Sequence, residues 1–198
     1  MTAPAVDISS APSPHSATNK LMRLAWGVVQ ATAFRCSPRP AHRWRAMLLR
    51  AFGAKVSPRA RVYPTARVWA PWNLEMDDFA TLGDRVDCYC VDTVRIGAHT
   101  TVSQYSYLCG ATHDHTLRDI PLRPMPIVIG SQSWVAADVF VGPGVTIGDG
   151  CVVGARSSVF GDLPDWTVCV GSPAKPIKQR ELRDEAPSAD QPGPEAHA

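Results

Sequence analysis

No apolar run in this chain approaches the ~20 residues that a membrane-spanning helix needs. The nearest, LMRLAWGVVQATAF at 21 to 34, is interrupted by Arg23. The opening stretch MTAPAVDISSAPSPHSATNK has no apolar core, which argues against a secretory signal. None of the six cysteines stands in a CxxC pair, so zinc and redox motifs are disfavoured. Reduced, mostly buried thiols of a cytoplasmic protein are the expectation. Charge is nearly balanced, at +2, so nothing at the level of the whole chain calls for nucleic acid. Beyond Gly53 the helical period disappears as well.

What is present fits one sizeable domain with extensions: 198 residues, 45% of them hydrophobic. Residues 1–19, rich in Ala, Pro and Ser, and residues 181–198, charged and Pro-rich, are expected to be disordered tails. Residues 20–53 form a helical segment. A first helix is predicted over 20–35, stopped by the prolines of SPRP, and a second over 41–52, ended by Gly53 as a left-handed cap. Trp44, Met47, Leu48 and Ala51 make the apolar stripe of the second helix, with Arg43, Arg45 and Arg50 largely off it.

Residues 54–180 follow a beat of six. Val56, Val62, Val68 and Leu74 keep it, then Ala80 and Val86 more weakly. DCYCVDTVR breaks register, and Ile96, Val102 and Leu108 resume it. After a longer interruption at 109–126, Ile129, Val135, Val141, Ile147, Val153 and Val159 run without a slip. In a strand, residues two apart share a side. The aliphatic residue and the one two before it therefore face inward together, as with Val139, Val145, Cys151 and Ser157. Pro143-Gly144 and Asp149-Gly150 are turn dipeptides. Each hexad is thus one short strand plus one corner. Three such sides close a triangular coil, and stacked coils share one core: an all-β repeat fold, a parallel β-helix. A β-sandwich would space its turns more widely and less evenly.

These hexads, with WVAADVFVGPGVTIGDGCVVGARSSV and VCVGSPAKPIKQR, resemble the hexapeptide-repeat acyltransferases. RWRAMLLRAFGAKV, APWNLEMDD, YLCGATHDHT and GSPAKPIK are similar in order and spacing to the colanic-acid biosynthesis acetyltransferase subgroup. The resemblance spans about 21 to 180. It implies a left-handed β-helix, a homotrimer with its active site between subunits, and acetyl-CoA as donor, with no metal. The reaction implied is O-acetylation of a sugar hydroxyl in exopolysaccharide biosynthesis, on a free or lipid-linked saccharide. Nucleic acid is not an expected partner.

A sugar hydroxyl needs its proton removed as it attacks, and imidazole suits that task. By its place in the family pattern His113 is the catalytic base, with His115 the lesser candidate, and Asp114 is either a turn residue or an imidazole-orienting group. CoA phosphates call for Lys or Arg, and Lys175, Lys178 and Arg180 stand just past the last coil. Ala136, Ala137, Gly154 and Ala155 match the small-residue track of the pantetheine arm, and Trp134 matches an aromatic near its reacting end. One departure is Phe160-Gly161, where relatives often carry a Thr-Lys pair. Two other readings are an inactive trimeric scaffold and a gamma-class zinc carbonic anhydrase built on His99, His113 and His115. The helical segment is expected to cap the first coil. Its basic and apolar mixture also suits weak peripheral contact with the inner face of an anionic membrane through residues 20–52.

Overall fold

The computed structural model describes residues 6–9 and 15–183. Three parallel sheets form the walls of a triangular prism. The first wall stacks Lys55–Val56, Leu74–Met76, Val94–Ile96, Ile127–Ile129 and Thr146–Ile147. The second stacks Arg61–Val62, Thr81–Leu82, Thr101–Val102, Trp134–Val135, Val152–Val153 and Thr167–Gly171, with Ala174–Gln179 added antiparallel at its end. The third stacks Arg67–Val68, Asp87–Tyr89, Tyr107–Cys109, Phe140–Val141 and Ser158–Val159. The prism is the expected parallel β-helix. Val139, Val145, Cys151 and Ser157 are buried beside the main aliphatic file, as the two-residue alternation requires. All six cysteines are free and four are buried.

The register differs from the expectation in the second coil. Val56, Val62 and Val68 stack on Met76, Leu82 and Cys88, rather than on Leu74, Ala80 and Val86. A 3-10 turn at Pro71–Asn73 inserts two residues there, held by Asn73 Nδ2 donating to the carbonyls of Cys90 (3.1 Å) and Val91 (2.7 Å). A second two-residue insertion falls within the DCYCVDTVR stretch, where a break was expected: Met76, Leu82 and Cys88 stack on Ile96, Val102 and Leu108. A two-residue insertion keeps the same faces inward, so Leu74, Ala80 and Val86 are still buried. From Ile129 to Val159 the stacking follows the predicted register.

The corners are a second difference. Gly144 and Gly150 take the left-handed conformation, with φ of 78° and 62°. The equivalent corner position elsewhere, three residues after the stacked aliphatic, is filled by Phe79, Arg85, His99, Tyr105, Gln132, Asp138 and Arg156, with φ between 56° and 64°. This conformation costs an L-residue with a side chain about 1–2 kcal/mol. The offset is visible in the hydrogen bonds. The left-handed residue turns its N–H to the corner one coil away: His99 to Asp78, Tyr105 to Asp84, Gln132 to Ala98 and Asp138 to Gln104, at 2.7–3.1 Å. The corners thus extend the ladders of the walls. At Gly150 a side chain is excluded outright, since a Cβ would stand 2.5 Å from the Trp166 ring.

Two helices close the prism's amino-terminal end. α1 spans Ala17–Val29, is N-capped by Ser16, and continues as a π-helical turn over Gln30–Phe34. It begins inside the stretch expected to be a tail, because Ser16 supplies the capping oxygen to the Asn19 N–H. Residues 6–9 also touch the fold, through the Asp7 N–H and the Arg118 carbonyl at 3.0 Å. The rest of the two predicted tails, residues 1–5, 10–14 and 184–198, lies outside the described residues. Trp26 is buried against Phe34 and Phe52 and donates Nε1–H to the Val68 carbonyl at 2.7 Å. α2 spans His42–Ala51 and ends at Gly53, φ 89°.

The predicted apolar stripe of α2 faces the wrong way. Trp44, Met47 and Ala51 are exposed, and the face turned to the prism holds Arg45, Ala46 and Leu49. Arg45 is fully buried. It donates to the carbonyls of Val62 (2.6 Å), Pro38 (2.8 Å) and Arg39 (2.6 Å) and to Ser37 Oγ (2.7 Å). Burial pushes its guanidinium below the usual arginine range. One of these carbonyls, that of Val62, belongs to the prism and the other two to the turn between the helices, and a five-donor guanidinium can satisfy all three where an aliphatic side chain could not.

Candidate active site

The chain leaves the third wall at Gly110. There the Gly110 N–H donates to the Tyr89 carbonyl (2.9 Å), and the Gly110 carbonyl accepts from the Met125 N–H (3.1 Å). Both ends of the excursion are tied at this one residue. Between them Ala111–His113 and Leu122–Pro124 pair antiparallel, with His113 opposite Leu122. Met125 then lies over the Gly144 corner, where a Cβ would stand 2.6 Å from its Cε.

His113 is exposed at the tip of this ladder. Its Nδ1 is 2.8 Å from the Ile120 carbonyl oxygen. A carbonyl only accepts, so this bond assigns the proton to Nδ1 and leaves the Nε2 lone pair free. Ile120 reaches this position with φ of 42°, an unusual conformation for a β-branched residue. Strain of this kind persists where the surroundings fix it. Asp114 acts as a turn residue: it accepts from the Thr116 hydroxyl and N–H and pairs with Arg123 at 3.2 Å. The Thr116 hydroxyl first, then its N–H, hold the Asp114 carboxyl below the usual carboxylate range. His115 is exposed and borders the same hollow, which Thr112, His113, Asp114, Arg123 and Met125 also line.

The candidate cofactor residues fall on a different surface. Register runs from Trp134 to Val152, Val168 and Lys178 across the outer side of the second wall. Lys175 pairs with Val170, and a Cβ at Gly154 would stand 2.7 Å from Val170 Cγ1, so Gly154, Val170 and Lys175 form the adjoining row. Ala136 and Ala137 lie one coil above Gly154 and Ala155, and the Ala137 carbonyl accepts from the Arg156 N–H at 2.9 Å. Three strand spacings separate Trp134 from Lys178, about 14 Å. Trp134 is half-exposed, with Nε1–H donating to Ser103 Oγ at 2.9 Å. The wall offers what a long, anionic-ended cofactor requires: an aromatic at one end, small residues along the way, and two exposed lysines.

Arg180 sits differently from the two lysines. Its Nη1 donates to the carbonyls of Gln132 (2.6 Å) and Gly150 (2.9 Å), on the edge between the first and second walls. It anchors the end of the last strand. His99 is stacked on Phe79 at 4.9 Å, and among the described residues no three His, Cys, Asp or Glu side chains gather as a metal-ligand set. Phe160 ends a file of aromatics on the third wall, Trp69, Tyr89, Tyr107, Phe140 and Phe160, with successive rings 5.4–6.3 Å apart. The Ile120 carbonyl, the Met125 seat and this file were not singled out in the sequence. The loop contacts carry no pattern at all, whereas the aromatics do recur on strands that a correct register would have aligned.

Coils built from hexads, a loop histidine with one ring nitrogen free and a lysine-ended wall define a class, the hexapeptide-repeat acyltransferases. The family described as bacterial transferase hexapeptide (six repeats) matches residues 126–161. WcaF of Escherichia coli (strain K12), named for colanic acid biosynthesis acetyltransferase activity, is 48% identical over 171 residues, 86% of this chain and 94% of that protein. The structure of a galactoside acetyltransferase in complex with coenzyme A superposes with a TM-score of 0.73 at 26% identity, covering 85% of this chain and 86% of that one. A maltose O-acetyltransferase from Clostridium difficile 630 gives 0.74 at 25% identity, over 84% of this chain and 90% of that one. The chain belongs to the hexapeptide-repeat acetyltransferases, in the group that includes WcaF. Its β-helix is left-handed, and it is an acyltransferase.

Proposed function

We propose that this acetyltransferase acylates a hydroxyl of a saccharide, free or lipid-linked, during assembly of an exopolysaccharide of the colanic-acid type. The observation that carries the chemistry is the His113–Ile120 hydrogen bond, which in the neutral imidazole places the proton on Nδ1 and makes Nε2 the lone-pair nitrogen. At Nε2, His113 takes the acceptor's proton as the hydroxyl oxygen bonds to the acetyl carbon; the thioester C–S bond of the tetrahedral intermediate then breaks, and His113 returns the proton to the departing CoA thiolate. Acetyl-CoA supplies the activated acetyl group. Lys175 and Lys178 hold its phosphates by charged hydrogen bonds. Ala136, Ala137, Gly154 and Ala155 let its arm approach the wall, and Trp134 flanks the reacting end. Arg180 supports this surface by fixing the last strand. WcaF, named for colanic acid biosynthesis, and galactoside O-acetyltransferase of Escherichia coli (strain K12), 35% identical over 102 residues, support a saccharide acceptor.

The active form is a homotrimer in the cytoplasm. The support is geometric: His113 leaves the corner between the third and first walls, while the cofactor rows lie on the second. The hollow that His113 lines is bordered by none of the cofactor-row residues. If third walls face a common axis, His113 of one subunit reaches the second-wall edge of the next, and the aromatic file becomes the contact surface. The exposed end of that file, Phe160, is then covered. A lipid-linked acceptor would bring the trimer to the inner face of a membrane.

The test is transfer of labelled acetyl from acetyl-CoA to sugar nucleotides and lipid-linked oligosaccharides, followed by mass spectrometry. An adduct removed by mild base is an ester and is expected. A base-stable adduct is an amide and sinks the hydroxyl reading. Mixing His113→Ala protein with a variant lacking Lys175 and Lys178 tests the shared site: mixed trimers regain activity only if the two surfaces come from different subunits.

A further inference from the structure

The helical cap is apolar on two sides. Trp26, Phe34, Ala46 and Leu49 are buried on the inner one. On the outer one, Leu21, Leu24 and Val28 of α1 and Trp44 and Met47 of α2 are 44–67% exposed. The three α1 residues, at i, i+3 and i+7, lie on one stripe opposite Trp26. Trp44 and Met47 share a stripe turned away from Arg45 and Leu49 in the same manner. The stripes adjoin: Trp44 Nε1–H donates to the Ala33 carbonyl at 3.0 Å, in the turn that prolongs α1. A shallow recess there is lined by Thr32, Ala33, Cys36, Pro38, Ala41 and Trp44.

Charge decides what suits this face. Residues 20–52 hold seven of the 20 basic residues and none of the 18 acidic ones. Arg45 is buried and Arg39 pairs with Asp84. Lys20, Arg35, Arg43 and Arg50 are exposed, and no ion pair among the described residues takes them. On α2, Arg43 and Arg50 share the flank beside the Trp44–Met47 stripe. By contrast Lys55, Arg59 and Arg67 on the prism each pair with a carboxylate one coil away. A second copy of this cap carries the same charge and is repelled.

We propose that the outer face of the two helices docks on an anionic lipid bilayer. Trp44, Met47, Leu21, Leu24 and Val28 enter the headgroup boundary, and Lys20, Arg35, Arg43 and Arg50 meet the lipid phosphates. Amphipathic helices with aromatic and aliphatic residues on one side and cations beside them bind in this way, lying in the interface plane. The described helices are not long and apolar enough to cross a membrane, so the contact is peripheral. The proposal uses the lipid-linked acceptor reading only for its purpose. The binding itself is independent of it.

The experiment is co-sedimentation of the full-length protein with vesicles of phosphatidylglycerol and phosphatidylcholine, or of phosphatidylcholine alone, at low and high salt. Binding is expected to the anionic vesicles only and to weaken with salt. Arg43→Gln with Arg50→Gln is expected to cut partitioning about 30-fold, from about fivefold per cation. Leu24→Ser with Met47→Ser is expected to abolish it. These side chains are exposed, so both double variants should melt and transfer acetyl to a soluble acceptor like the parent. Absence of binding, or binding unchanged in both variants, overturns the proposal. So does a larger particle that Leu24→Ser with Met47→Ser dissociates without any vesicle binding, which makes the occupant a second copy. If the parent transfers acetyl to no saccharide yet sediments with anionic vesicles, the acceptor reading fails and the docking stands.

Discussion

The stacked coils and the excursion at residues 110–126 use the same chain in opposite ways. In the coils almost every second strand residue is buried, and each corner is bonded to the next. In the excursion only Gly110 and Ala111 are buried before the chain rejoins the wall at Ile127. Its shape rests on a short antiparallel ladder, the Gly110 tie, the Asp114 turn and the Met125 seat. The comparison teaches a division of labour. Burial makes the coils rigid and indifferent to chemistry. The excursion holds the proposed base, His113, out by a few specific bonds, where acyl transfer would need access.

The sharpest test of that division is Ile147→Asp. Ile147 is fully buried in the middle of the file, and an unpaired buried carboxylate costs several kcal/mol. The variant is expected to be insoluble or to lack a cooperative melt. A soluble, sharply melting protein would break the comparison from the coil side. From the loop side, His113→Ala should lower turnover by about 10²–10⁴, the range for a lost general base. Its melting curve and its acetyl-CoA binding should stay those of the parent, since the side chain is exposed. Loss of activity in His115→Ala with a normal His113→Ala enzyme would move the base two residues along.

A smaller effect is expected at the far end of the second wall. Lys175→Ala with Lys178→Ala should raise the KM for acetyl-CoA at least about tenfold, a conservative share of what two charged hydrogen bonds can contribute. The acceptor's KM should not move. An unchanged acetyl-CoA KM would return the two lysines to the status of a solvated edge. The smallest effect belongs to Asp114→Asn, which keeps the turn and weakens the Arg123 pair. The melting midpoint at neutral pH should shift by no more than about 2 °C. The Asp114 carboxyl is held below its ordinary range, so its contribution is present above the unfolded carboxylate value and lost as pH falls through the folded one. Parent and variant should therefore converge only below about pH 4. Convergence between pH 5 and 7 would contradict the assigned turn role.

The repeat was legible because hexads are self-similar, and from Ile129 to Val159 each residue was placed correctly. The two-residue slip at Pro71–Asn73 was missed because strand alternation hides an even insertion. His113 and the lysines were singled out through a resemblance, while the Ile120 carbonyl that orients the imidazole was not. A backbone oxygen has no residue type to recognise, and its position depends on a strained φ that no spacing announces. The cap shows the same limit from another side. Trp44, Met47 and Ala51 have the period of a buried stripe, yet Arg45 took the inner place.

By itself, then, the sequence determined the period: a six-residue beat closes a triangular coil wherever it occurs, because side-chain alternation and corner geometry are local. It also determined which residue types could do acyl transfer. Only the tertiary structure decided which side of the cap faces inward, which ring nitrogen of His113 stays free, and that the histidine and the lysine-ended wall lie on separate surfaces of one chain. Those outcomes depend on carbonyls left unpaired at a prism's end and on contacts between residues far apart in sequence. A local pattern cannot contain them, since the partner that decides each one is supplied by another part of the fold.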